Sequence, residues 1–147
     1  MEKAVCFVGH REAWYNVGLD QKLEKELNNL IQRGFRVFYI GGKGEFDNVA
    51  RKVLLRIRQN DDSLKIILVA AYNDIPKDWD CYYTECITPE LENVFYKRRI
   101  IEKNKWIVDH SDVLICNVTR SYKSGSFLMF RYALKKGLSV INLADIE

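Results

Sequence analysis

Five short, largely apolar runs, each followed by turn residues or a stretch of helical spacing, constrain this chain more than any other feature. They lie at residues 4–8, 35–40, 64–70, 113–118 and 138–143. Continuous runs of this length suit strands covered on both faces, since a half-solvated strand would alternate. Between the first two, Leu19, Leu23, Leu27, Leu30 and Ile31 recur at helical spacing, and Gly34 supplies a stop. After the second, Val49, Ala50, Val53, Leu54 and Ile57 form one face of a helix that Asp47 can cap and the polar residues 60–63 end. A third helix is expected over about 96–110, burying Ile100, Ile101, Trp106, Ile107 and Val108. A fourth is expected over 127–136, with Phe127, Phe130, Ala133 and Leu134 inward, Lys135 and Lys136 favourable to its dipole, and Gly137 closing it. Residues 71–96 show no sustained period. They hold both prolines, Trp79 and the pair Tyr82-Tyr83, and a loop this long is more often functional than idle.

Strands that alternate with helices imply right-handed crossovers and a parallel sheet. The simplest solution is an α/β, doubly wound, five-stranded, mainly parallel sheet of order 3-2-1-4-5, read as one domain over residues 1–147. Winding then reverses between strands one and four, and ligands bind outside the carboxyl ends of the strands at such a reversal. Two loops should line that crevice: Gly9-His10-Arg11 and the stretch from Thr119 to Ser126.

Composition narrows the partners. Apolar residues make up 48% and charged residues 29%, ordinary for a folded domain. A net charge of +3, with acidic residues interleaved throughout, argues against a dedicated nucleic-acid binder, which carries a basic stripe. No apolar run approaches the roughly 20 residues needed to span a bilayer. The chain opens Met1-Glu2-Lys3 and runs straight into a strand, so no secretory leader and a cytoplasmic location are expected. Cys6 and Cys116 sit in buried runs, while Cys81 and Cys86 sit in the irregular stretch. All four read as thiols, a Cys81–Cys86 disulfide being the alternative in an oxidising compartment. No cluster of His, Asp, Glu and Cys has metal-ligand spacing, so no metal is expected.

Three short motifs carry the candidate chemistry. Gly9-His10-Arg11 sets an imidazole and a guanidinium where an anion would sit; the plainer reading is a solvated arginine and a loop-bonded histidine. Gly41-Gly42-Lys43-Gly44-Glu45-Phe46-Asp47 is a glycine-rich turn feeding a helix. It lacks the Gly-Lys-Ser/Thr of a phosphate loop and the third glycine of the dinucleotide fingerprint. Asp47 there would repel phosphate but accept from a ribose hydroxyl, and a tight turn with a helix cap explains much of the same pattern. Ser124-Gly125-Ser126 precedes the fourth helix, where amides and hydroxyls favour phosphate, or where a serine simply caps. Tyr96-Lys97-Arg98-Arg99 and Lys103-Asn104-Lys105-Trp106 read as a solvated helix face. No nucleophile–base pair can be read, and catalytic residues are unassigned. His110 falls at the end of the sheet away from the crevice and reads as structural.

Together and in order, residues 6–11 (Cys-Phe-Val-Gly-His-Arg), 41–47 (Gly-Gly-Lys-Gly-Glu-Phe-Asp) and 103–112 (Lys-Asn-Lys-Trp-Ile-Val-Asp-His-Ser-Asp) resemble small bacterial members of the SLOG superfamily. That grouping unites DNA-processing protein A with the LOG phosphoribohydrolases, and the resemblance runs from about Val5 to Leu143. It implies a Rossmann-like domain that binds a nucleotide or nucleotide-derived ligand through Gly9, His10, Arg11, Gly41, Gly42, Asp47, Asn104, Ser124, Gly125 and Ser126. Arg98 matches an arginine of the smallest members. The chain departs from the pattern in three places: Lys103 stands where an arginine is usual, Ser124-Gly125-Ser126 replaces Gly-Gly-Thr, and Met129 holds the position of the hydrolytic glutamate. A thioether does no acid–base work, so LOG-type hydrolysis is not expected.

The leading expectation is therefore a nucleotide-ligand binding or sensing domain, with no further cofactor assigned and homodimerisation through helices as an option. In it, Arg11 and the amides of Ser124 to Ser126 hold phosphate, Asp47 takes a ribose hydroxyl, and Tyr72 or Tyr82 covers a base. The alternatives are a hydrolase of N-glycosidic or phosphate bonds using Asp47, Glu45 or a substrate-bound water, and, last, a single-strand DNA-binding module.

Overall fold

A computed structural model of the chain describes residues 3–9, 18–71, 75–90, 95, 98–118 and 125–144. The strands are β1 (Ala4–Gly9), β2 (Val37–Ile40), β3 (Lys65–Val69), β4 (Glu85–Ile87), β5 (Val113–Asn117) and β6 (Ser139–Asn142). The helices are α1 (Leu19–Gln32), α2 (Glu45–Arg58), α3 (Arg99–Asp109) and α4 (Gly125–Lys136), with a 3₁₀ turn at Trp79–Cys81. The six strands form one sheet, ordered β4-β3-β2-β1-β5-β6, in which every pairing is parallel.

Alternate residues of the central strands serve opposite faces, as the strand period requires. Val5 and Phe7 of β1 join Phe38, Ile40, Ile66 and Ile115 beneath α1 and α2, where Leu23, Leu27, Leu30, Phe46, Val53 and Leu54 close that half of the core. Cys6 and Val8 point the other way, with Ile67, Val69, Leu114 and Cys116, beneath Ile107 and Val108 of α3 and Met129 and Ala133 of α4. Both faces are covered, which is why these strands are apolar without alternation. The chain winds outward from β1 to β4, recrosses through α3, and continues from β5 to β6. The reversal falls between β1 and β5, paired from Val5↔Val113 to Gly9↔Asn117.

The five expected strands are all present, but the sheet has six, and its order is 4-3-2-1-5-6 where five strands in the order 3-2-1-4-5 were expected. The extra strand, β4, comes from the stretch without period. It is three residues long at a sheet edge, too short to show a repeat, and side-chain bonding helps to pin it. Thr84 Oγ1 accepts from Ile66 N at 2.9 Å and donates to Ile66 O at 3.1 Å, while Thr84 N donates to the same carbonyl at 2.8 Å.

Three helix expectations also change. Helix α4 begins at Gly125 instead of Phe127, so Gly125 and Ser126 form its first turn. Helix α2 begins at Glu45 behind Gly44, and Asp47 is its third residue, not its cap. Ile100, Ile101 and Leu134 are exposed where burial was expected, because the buried stripes pass through Lys103 and Ile107 on α3 and Met129 and Ala133 on α4. Cys6, Cys81, Cys86 and Cys116 are all free thiols. His110 ends α3 at the far end of the sheet, its ring stacked on Trp106 at 3.9 Å and its Nδ1 2.7 Å from the Trp106 carbonyl. No helix among the described residues is long and apolar enough to cross a membrane.

Candidate functional site

At the carboxyl ends of β1 and β2 the reversal opens a cleft of about 340 Å³. It is lined by Gly9, Gly41, Lys43, Asp47, Lys103, Asn104, Gly125 and Ser126, with Phe7, Val8, Ile100, Ile107 and Met129 as its apolar wall. Four separate stretches of chain therefore meet there. Of the residues named from sequence, Gly9, Gly41, Asp47, Lys103, Asn104, Gly125 and Ser126 are brought together. Gly42 and Arg98 are not among the lining residues. Gly42 turns away beneath Leu68, and Arg98, with 63% of its side chain exposed, pairs with Glu102 at 3.7 Å. His10, Arg11, Thr119 and Ser124 lie outside the described residues.

Gly9 owes its identity to packing. A Cβ at that position would stand 2.5 Å from both Cβ and Cγ of Phe46, a distance real side chains do not reach. The glycine lets α2 press onto β1 and carries Asp47, the next residue, to the cleft floor. The Gly9 carbonyl accepts a 2.6 Å hydrogen bond from Ser126 Oγ, tying the end of β1 to the start of α4. The α4 terminus, with its amides and the positive end of its dipole, is thereby aimed at the cleft. Gly42 answers a different demand. Its φ of 76° suits glycine, and a Cβ there would lie 2.8 Å from Leu68 Cδ1.

The turn from Gly41 to Lys43 is held from two sides. Asp47 Oδ2 accepts from the Lys43 amide at 3.0 Å, with the Gly42 amide also beside it. Lys103 Nζ, reaching over from α3, donates to the Gly41 carbonyl at 3.1 Å. Both side chains are buried, Asp47 at 8% and Lys103 at 1% exposure. Burial pushes the Asp47 carboxyl up to about 7, outweighing the amides and the Lys103 ammonium that pull it down. An oxygen expected to meet a ribose hydroxyl is thus already engaged with its own turn. The ammonium of Lys103, which stands where the resembled family has an arginine, holds backbone.

Lys43, Ile100, Ile107 and Met129 were not singled out as lining residues from the sequence. A signal existed on α3: Ile100, Lys103 and Ile107 fall at i, i+3 and i+7, which sets the lysine in an apolar stripe. Beside the cleft, and sharing Ile100, Asn104, Gly125 and Met129 with it, runs an apolar groove of about 250 Å³ between α3 and α4. Leu128, at 60% exposure, Ile101, Lys105 and Tyr132 complete it. Tyr82, expected over a base, instead lies under the Arg51 guanidinium at 4.5 Å, and Tyr72 lies outside the described residues.

No protein-family model and no curated protein matches the chain. Solved structures do. DNA processing protein A from Helicobacter pylori, described for its single-stranded DNA binding mode, superposes with a TM-score of 0.67 at 20% identity, over 94% of this chain and 63% of that one. The X-ray structure of TM1055, a structural-genomics target, superposes at 0.62 with 13% identity, over 94% and 72%. The molybdenum cofactor carrier protein from Chlamydomonas reinhardtii superposes at 0.59 with 17% identity, over 95% and 75%. At these identities the likeness is one of architecture. It bears out the Rossmann-like fold that the short motifs implied, which the chain shares with these three proteins.

Proposed function

We propose that the chain binds a nucleotide or nucleotide-derived ligand in the cleft at the carboxyl ends of β1 and β2, under the first turns of α3 and α4. The observation that carries this reading is convergence: glycines, amides and polar side chains from four stretches of chain line one cleft at the winding reversal. The ligand's phosphate lies toward the first turn of α4, where helix amides favour an anion. Its base lies toward the apolar groove between α3 and α4, replacing the aromatic cover expected from the middle segment.

A thermal-shift panel of nucleotides, dinucleotides and ADP-ribose tests the reading. A ligand at 100 times its Kd adds about 2.7 kcal/mol, a rise of roughly 5–10 °C for a domain of this size. Gly125→Asp isolates the site. A Cβ there meets nothing within 4 Å, and an aspartate in the first helical turn favours the helix while repelling phosphate. The variant should fold and lose the rise. A panel without effect, or a rise that survives Gly125→Asp, refutes the placement.

A hydrolase reading draws on the place of Asp47, a buried carboxyl lining the cleft, which burial raises toward the range of acid–base work near neutrality. Met129, which lines the cleft and holds the position of the LOG glutamate, argues against the LOG route. Release of base or phosphate from the panel separates catalysis from binding. Binding of single-stranded DNA, for which one structural neighbour is described, would instead show a steep loss of affinity with salt.

A further inference from the structure

Asp47 and Lys103 are ionisable side chains withdrawn from water on the floor of a cleft, and they come from different helices. They grip one turn from opposite sides, at the Lys43 amide and the Gly41 carbonyl. A Cβ on Gly41 would lie 3.5 Å from Lys103 Nζ and 3.6 Å from Asp47 Oδ2, so the pair brackets that α-carbon. Such a pair is balanced only while no third charge arrives. An anion seated above it is a third charge, and two negative groups sharing a poorly solvated site do not both stay ionised.

We propose that ligand binding in this cleft is proton-coupled: an anion entering it drives the Asp47 carboxylate to its neutral acid, with one proton taken from solvent, while Lys103 keeps hold of the Gly41 carbonyl. Asp47 and Lys103 are then positioning residues, not ligand contacts. The inference rests on the nucleotide reading above and adds that the bound state carries an extra proton. Burial already brings Asp47 to about 7, so a modest push completes its protonation near neutral pH. The other titratable groups that act on it are Lys103 from α3, the Cys6 thiol from β1 and the Tyr83 phenol ahead of β4, while Lys43 meets it through its backbone amide. Burial pushes Cys6 up to about 12 and raises Tyr83 above its usual value, so neither exchanges a proton near neutrality.

The test uses the full chain and ADP-ribose, whose phosphates do not titrate between about pH 6 and about pH 9. The Kd should be flat below about pH 6 and rise up to about tenfold per pH unit above about pH 7. Calorimetry in two buffers of different ionisation heat should show uptake of up to about half a proton near pH 7. Asp47→Asn should bind without slope or uptake. Lys103→Met, by removing the ammonium beside Asp47, should move the break to higher pH, which loss of packing alone would not do. Should Asp47→Asn fail to fold, the buffer comparison on the natural chain and the Lys103→Met break decide. A pH-independent Kd overturns the coupling and leaves the nucleotide reading standing. So does a slope that survives Asp47→Asn, which would assign it to another group such as His10. ADP-ribose that binds at no pH overturns the coupling together with the phosphate placement beneath it.

Discussion

Replacing Gly9 by alanine adds one methyl group, yet it should be among the most damaging small changes in this protein. The new Cβ would lie 2.5 Å from Phe46 Cβ and Cγ and 2.7 Å from Cδ2. Ordinary contact begins near 3.4 Å, so about 1 Å must be found. Phe46 is fully buried and cannot swing into solvent, and because its Cβ is itself in the way, no rotamer relieves the clash. The α2 helix must therefore lift from β1. Overpacking of this kind costs about 1–3 kcal/mol, toward the upper end here because backbone has to move. Urea denaturation should show a lower midpoint at unchanged slope, and Tm should fall by about 6–10 °C. Lifting α2 also carries Asp47 away from the Lys43 amide, so cleft binding should weaken in the same variant. Phe46→Ala alone should cost about 3–5 kcal/mol, and the double variant less than the sum, by at least about 0.5 kcal/mol of coupling. A Gly9→Ala protein within about 0.5 kcal/mol of the natural chain that nonetheless loses ligand binding would refute the packing account and make Gly9 a ligand contact.

Asp47 also predicts the pH dependence of stability. Its carboxyl is raised from 3.8 to about 7 in the folded state, so its favourable contribution is complete below about pH 4 and is lost as pH rises through about 7. The loss is at most on the order of 4 kcal/mol, and urea melts at about pH 5 and about pH 8.5 should show a decline that Asp47→Asn lacks; parallel declines would exclude Asp47 as the source. Thiol labelling of the native protein should modify exposed Cys81 first and Cys86 more slowly, with Cys6 and Cys116 protected until the core opens, since burial raises both to about 12. Early labelling of Cys6 would contradict its place in the sheet. Leu128→Glu should alter stability by less than about 0.5 kcal/mol, yet weaken a nucleotide more than pyrophosphate if the base lies in the α3–α4 groove. Equal weakening of the two would move the base elsewhere.

Much of this architecture can be read from the chain alone, for a local reason. A strand buried on both faces is apolar along most of its length, so β1, β2, β3 and β5 announce themselves, the edge strand β6 shows a weaker form of the pattern, and the helices between them force parallel pairing. The reversal point follows from that topology, and with it the meeting of Gly9 with Gly125 and Ser126; Gly41 and Asn104 are legible through the motif resemblance. What the linear pattern does not carry is anything decided by a partner distant in sequence. β4 exists because β3 offers it an edge and Thr84 bonds to Ile66, and three residues cannot show a period. Gly9 is glycine because Phe46, 37 positions later, arrives within van der Waals reach. Asp47 and Lys103 look like ligand contacts in a row of letters. Only tertiary packing, by burying both against the backbone of one turn, converts them into the groups that hold the cleft floor in place.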